Sequence, residues 1–186
     1  MVDDVERQDE EWSGAVEFAH EEEERLLDVL GGVKIFQYLS MEELRQVERI
    51  VHRRTYLPNE TVVQQGNPGV GMYIVQSGSV NVVLETGEGG EIPLATLGEG
   101  QFFGEMSLLD GAPRAASVVA AERASVIGFF HADLMDLIAR DPRLGHKIVH
   151  QISILMAERL QSTLADYRTV QRQLRALEKT VEDEDG

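Results

Sequence analysis

The chain has 186 residues and a formal net charge of −16, from 33 acidic and 17 basic side chains. Such acidity repels a polyphosphate backbone and argues against non-specific nucleic-acid binding. It is compatible with a high-salt cytosol, a basic partner or simple solubility. With 42% hydrophobic residues the chain is not globally disordered, and with no cysteine it has neither disulfides nor thiolate chemistry. The length suits one domain with extensions, and no apolar run is long enough to cross a bilayer, so a cytoplasmic location is expected.

Residues 1–30 read as an acidic leader, with a helix expected from Ser13 to Leu30 and ended by Gly31-Gly32. The run Glu21 to Glu24 reads as a solvated helix face. Ser40 and Glu43 have the spacing of a capping box, and the helix they start puts Leu44, Val47, Ile50 and Val51 on one face.

Between Glu60 and Phe130 the pattern changes to β. Twelve of the 17 glycines lie there, separating short runs at 61–63, 72–75, 79–84, 92–97, 115–120 and 124–130. Val80, Val82 and Leu84 alternate as on a half-buried strand. Asn67-Pro68-Gly69 and Gln76-Ser77-Gly78-Ser79 read as turns, the second as a tight hairpin; Gly87 to Gly90 reads as a hairpin loop. The expected fold class is α+β: about eight strands in an antiparallel jelly-roll barrel, with helices before it and a long C-terminal helix after it.

Within this barrel, Phe102 to Val118 combines several chemistries. Gly104 permits close backbone approach, and the N–H groups of Glu105, Met106 and Ser107 open a short helix and are free to meet an anion. Arg114 is a bidentate phosphate donor; Glu105, when ionised, only accepts and suits a sugar hydroxyl. Arg114 and Arg123 are the only basic residues between Glu60 and Phe130, and Arg123 reads as a surface turn residue.

After the barrel a short helix is expected over His131–Arg140, with Leu134, Leu137 and Ile138 inward. Asp141 and Pro142 then start a helix running to about Val181. Leu160, Leu164, Tyr167, Val170, Leu174, Leu177 and Val181 recur at spacings of 4, 3, 3, 4, 3 and 4, close to a heptad seam. A parallel homodimer through this helix is expected, because a monomer leaves its far end uncovered. The organisation expected is 1–30 leader and N-terminal helix, 31–140 barrel domain, and 141–186 dimerisation helix.

The stretch Phe103-Gly104-Glu105-Met106-Ser107-Leu108-Leu109, followed by Gly111 and by Pro113-Arg114-Ala115-Ala116-Ser117-Val118, resembles the phosphate-binding cassette of cyclic nucleotide-binding domains. These are the sensor modules of catabolite activators and of protein kinase A regulatory subunits. The resemblance extends over roughly residues 33 to 160, and implies that the helices before the barrel form an N-terminal helical bundle. It implies a ligand site of Gly104, Glu105, Met106, Ser107, Pro113, Arg114, Ala115 and Ala116. Arg114 and the N–H groups of Ser107 and Ala115 would hold the cyclic phosphate, Glu105 the ribose 2′-OH, and the C-terminal helix would cover the purine. Members that prefer the guanine nucleotide carry threonine after the arginine; Ala115 favours cAMP over cGMP.

His146 and His150 have metal-ligand spacing but no third ligand nearby, and no Walker loop or nucleophile elbow occurs. No enzyme activity, metal or cofactor is therefore expected. No DNA-binding domain is expected either, since the tail is not basic enough to read DNA. The expected function is a cyclic-nucleotide sensor that signals to an unidentified effector protein by conformational change. The alternative is a nucleotide-independent dimeric scaffold.

Overall fold

The computed structural model describes residues 26–87 and 89–184, with side chains described through Arg175. Most of the expected N-terminal helix, from Ser13 to Arg25, lies outside the described residues. The helix α1 (residues 26–32) includes both glycines. Leu26, Leu27, Val29 and Leu30 are buried.

The helix α2 (Met41–Glu48) starts at the expected capping box: Ser40 Oγ accepts from the Glu43 N–H, and the Glu43 carboxylate accepts from the Ser40 N–H. Phe36 is wholly buried in the turns between these helices, and Leu39 packs against the same core.

Eight strands follow, β1 (His52–Tyr56), β2 (Thr61–Val63), β3 (Gly71–Ser77), β4 (Val80–Glu85), β5 (Glu91–Leu97), β6 (Phe102–Phe103), β7 (Ser117–Ala120) and β8 (Ala124–Phe130). They form two four-stranded sheets, ordered β1-β8-β3-β6 and β2-β7-β4-β5, with every pairing antiparallel. One apolar core lies between the sheets, around Tyr56, Val75, Val80, Phe103, Val118 and Val126. A larger one lies where the helices pack on β3 and β8, around Phe36, Met72, Ile74, Leu108, Ile127 and Phe129.

Three local expectations need correction. The turn at Gln76-Ser77-Gly78-Ser79 is not a hairpin, because β3 and β4 belong to different sheets. The chain turns a corner there. Gly78 (φ 75°) allows it, since a Cβ at that position would stand 2.4 Å from the Arg123 carbonyl oxygen. The matching corner at Glu122-Arg123 carries the chain from β7 back to β8, and the two corners are joined by Ala121 N–H to Ser79 O at 3.0 Å.

The alternation in β4 also breaks. Val80 and Val83 are buried, whereas Leu84 is half-exposed. The register shifts between Val82 and Val83, which face Ala95 and Pro93 on the edge strand β5. Leu94 is the extra residue of a bulge, and Pro93 has no N–H to give the ladder, which an edge strand tolerates. Finally, the run expected from Ala115 is extended only from Ser117.

The helix α3 (Glu105–Asp110) interrupts the sheets between β6 and β7, and α4 (His131–Arg140) follows β8. The last helix, α5 (Pro142–Glu184), has 43 residues and spans roughly 64 Å. Asp141 caps it through its Oδ1, which accepts from the N–H groups of Arg143 and Leu144 at 3.1 Å. Its root is anchored by Leu144, Ile148 and Ile152, all wholly buried.

Candidate functional site

The short helix α3 is bracketed by two glycines in the left-handed region, Gly104 (φ 78°) and Gly111 (φ 65°). Gly104 meets two demands at once. Its conformation disfavours a side chain, and a Cβ there would stand 2.2 Å from Arg114 Nη1. A second glycine works similarly: a Cβ at Gly69 would stand 2.1 Å from Ser107 Oγ.

Arg114 is held from both sides of its backbone. Its N–H donates to Asn67 O and its carbonyl accepts from the Gly66 N–H, each at 2.9 Å. Pro113 forms a bridge with Pro68 just before it. Arg114 is 6% exposed, and its Nη1 is the one buried side-chain polar atom without a hydrogen-bond partner among the described residues. Burial pushes the guanidinium below the ordinary arginine range, opposed by the Tyr73 phenol and the Glu105 carboxylate. The guanidinium lies over the Tyr73 ring, 5.3 Å from its centroid, and Tyr73 stacks on Phe103.

Glu105, at the first position of α3, is 4% exposed and forms an ion pair with Arg159 of α5. A cavity of about 660 Å³ opens beside this pair, lined by Gly100, Gln101, Phe102, Leu155 and Ser162 among others. Arg114 is not among its lining residues; its Nη1 lies against Gly104.

The structure thus brings Gly104, Glu105 and Arg114 together. Ser107 is buried, but its hydroxyl donates to Ala112 O at 3.1 Å, which leaves its backbone N–H as the group able to meet a ligand. The side chains of Met106, Pro113 and Ala115 are exposed, and Ala116 is half-buried. Two residues escaped the sequence reading. Tyr73 lies far from the cassette in sequence and carries no motif. Arg159 had one signal, being the only basic residue between Lys147 and Arg168 on α5.

His146 and His150 are neighbours on α5, with ring centroids 5.8 Å apart. Among the described residues no group of three or more metal-ligating side chains occurs, and no helix is long and apolar enough to cross a membrane.

A buried arginine behind a left-handed glycine, with a carboxylate on the next residue, is the arrangement the cassette resemblance implies. The family model for the cyclic nucleotide-binding domain matches residues 53–141. These residues belong to the cyclic nucleotide-binding domain family.

The chain is 37% identical over 130 residues to a cyclic AMP receptor protein of Thermus thermophilus, covering 70% of this chain and 58% of that protein. It is 37% identical over 93 residues to a cAMP-dependent protein kinase regulatory subunit of Colletotrichum orbiculare, covering 50% of this chain and 23% of the relative. Among solved structures, the Thermus thermophilus catabolite activator protein superposes with a TM-score of 0.67 at 34% identity, covering 74% of this chain and 62% of that one. The chain therefore spans less than two thirds of the length of these curated relatives. The fold is a cyclic nucleotide-binding one: two antiparallel sheets, with helices before them and a long helix after them.

Proposed function

We propose that this chain is a cAMP sensor whose cassette reads the cyclic phosphate and ribose and whose long helix transmits the result. The observation that carries this is the buried, unpartnered Nη1 of Arg114 against Gly104. A desolvated cation with an open donor is costly on its own, and an anionic oxygen offsets that cost. Arg114 and the N–H groups of Ser107 and Ala115 take the phosphate, and Glu105 accepts from the ribose 2′-OH. Ala115 leaves no hydroxyl after the arginine, which favours cAMP over cGMP.

The Arg159–Glu105 ion pair gives the transmission a physical basis. Glu105 serves both the ligand and α5, so ligand binding changes how firmly the helix is held over the cavity. A ligand with unequal affinity for the two helix positions shifts their populations.

The outer part of α5 carries the output. Leu160, Leu164, Tyr167, Val170 and Leu174 are all 45–61% exposed, at a spacing that suits a parallel partner helix. We assign that partner to a second copy of the chain, with an effector protein of unknown identity reading the dimer. The same stripe is the observation that favours a second reading, a scaffold that dimerises without nucleotide.

Titration calorimetry with cAMP and cGMP, paired with thermal denaturation, separates the two. Saturating cAMP at 100 times its dissociation constant should add about 2.7 kcal/mol of stability. The absence of a shift with either nucleotide would leave the scaffold as the surviving reading.

A further inference from the structure

The geometry points to Glu85, at the end of β4, as a positioning residue for Arg114. This rests on the reading of Arg114 as the phosphate ligand. Arg114 hangs by its backbone from the turn at 64–67, through its bonds to Gly66 and Asn67. That turn and the strand leaving Arg114 are both tied to residue 85.

Gln64 Nε2 and Ser117 Oγ both donate to Glu85 Oε1. The Gln65 side chain closes a ring on the Glu85 backbone, its Oε1 accepting from the Glu85 N–H at 2.8 Å and its Nε2 donating to Glu85 O at 3.2 Å. The Gln65 N–H donates to Ser117 Oγ at 2.8 Å, which completes the circuit.

The chemistry explains why residue 85 is central. Ser117 is 3% exposed and its hydroxyl has one proton. It spends that proton on Glu85 and keeps a lone pair for Gln65. Without an acceptor at 85, a buried hydroxyl and the Gln64 amide lose their partner together, and of the circuit only the links through Gln65 remain. A long arginine can reach a phosphate only from a fixed origin, and here the origin is that turn.

The effect is geometric rather than electrostatic, because the charged and polar groups that act on Arg114 are Tyr73 and Glu105. Both donors converge on one oxygen, so an amide presenting its carbonyl at the same place serves as well as a carboxylate.

The test compares Glu85→Ala, Glu85→Gln and Thr86→Ala in the full chain. Thr86 braces the adjoining hairpin, its side-chain hydrogen bonds going to Gly90 rather than to the turn or β7. Calorimetry with cAMP should show about tenfold weaker binding for Glu85→Ala, within about threefold of wild type for Glu85→Gln, and no change for Thr86→Ala. Hydrogen exchange on the unliganded chain should show faster exchange at the Gly66 and Arg114 amides in Glu85→Ala only, with the β3–β8 ladder unmoved.

Unchanged protection at those two amides, or equal affinity losses in Glu85→Ala and Thr86→Ala, would overturn the role of Glu85 alone. Wild-type protein that takes up no cAMP would overturn the sensor reading and this role with it.

Discussion

The cassette and the outer part of α5 are opposite mismatches with water. In the cassette a cationic side chain is buried, with Nη1 unpaired among the described residues. Along α5, from Leu160 to Leu174, apolar side chains stand in solvent. The first mismatch is a single point, and one anionic oxygen removes it. The second is a strip about 21 Å long, which only an extended apolar surface such as another helix covers. The two regions therefore differ in what would complement them: a small anion for one, a helix for the other. Arg159 stands between them, reaching from α5 to the buried Glu105.

The largest effect expected is at Arg114. Arg114→Met keeps the length and removes the charge and donors. It should weaken cAMP binding by about 100-fold or more. The unliganded chain should melt no lower than wild type, because the desolvated cation is gone. Calorimetry and thermal denaturation read the two outcomes. A melting temperature well below wild type would make Arg114 a structural residue and break the contrast between the regions.

Next comes the seam. Leu164→Glu with Leu174→Glu places charge on the stripe of each helix. Sedimentation velocity should show self-association weakened by tens of fold, while each protomer keeps its cAMP affinity within about threefold. An unchanged dimer would mean that association uses another surface.

A smaller effect sharpens the link between the regions. Glu105→Gln loses a charge-assisted acceptor and the ion pair together, and should weaken cAMP binding about tenfold. Arg159→Ala should cost less, because the Arg159 side chain is 59% exposed. A larger loss in Arg159→Ala than in Glu105→Gln would place the arginine, rather than the carboxylate, on the ligand.

The cassette was legible because its determinants are contiguous. Gly104 and Gly111 sit where positive φ is needed, and the arginine follows at a fixed distance. The Ser40–Glu43 box and the Asp141 cap were legible for the same reason: capping acts over three residues. What could not be read depended on distant partners. The corner at Gly78 has the composition of a hairpin turn, and only the packing of two sheets makes it a crossing. The break in the β4 pattern at Val83 lies opposite the bulge at Leu94 on the neighbouring strand. The two-residue β6 is too short to have a period, and it is a strand because Tyr73 and Ile74 pair with it. Arg159 meets Glu105 across 54 residues of chain.

The smallest effect concerns the root of α5, which is fixed independently of both mismatches. Lys147 Nζ lies 2.6 and 2.8 Å from the two carboxylate oxygens of Glu43 on α2. That bond, with the Ser40 N–H, holds the Glu43 carboxyl below its ordinary range. A carboxyl depressed by folding stabilises the fold above its unfolded pKa of about 4.3, and the contribution fades as pH falls through the lower folded value. Lys147→Met should therefore be less stable than wild type at neutral pH by under about 1 kcal/mol, since the lysine is half in water. Urea titrations between pH 7 and pH 3 should show that gap closing in acid. A gap that persists at pH 3 would assign the contact to packing of the lysine stem. A closing gap leaves the α5 root held by Leu144, Ile148 and Ile152 even in acid, as the proposed sensor requires if only the helix beyond them is to move.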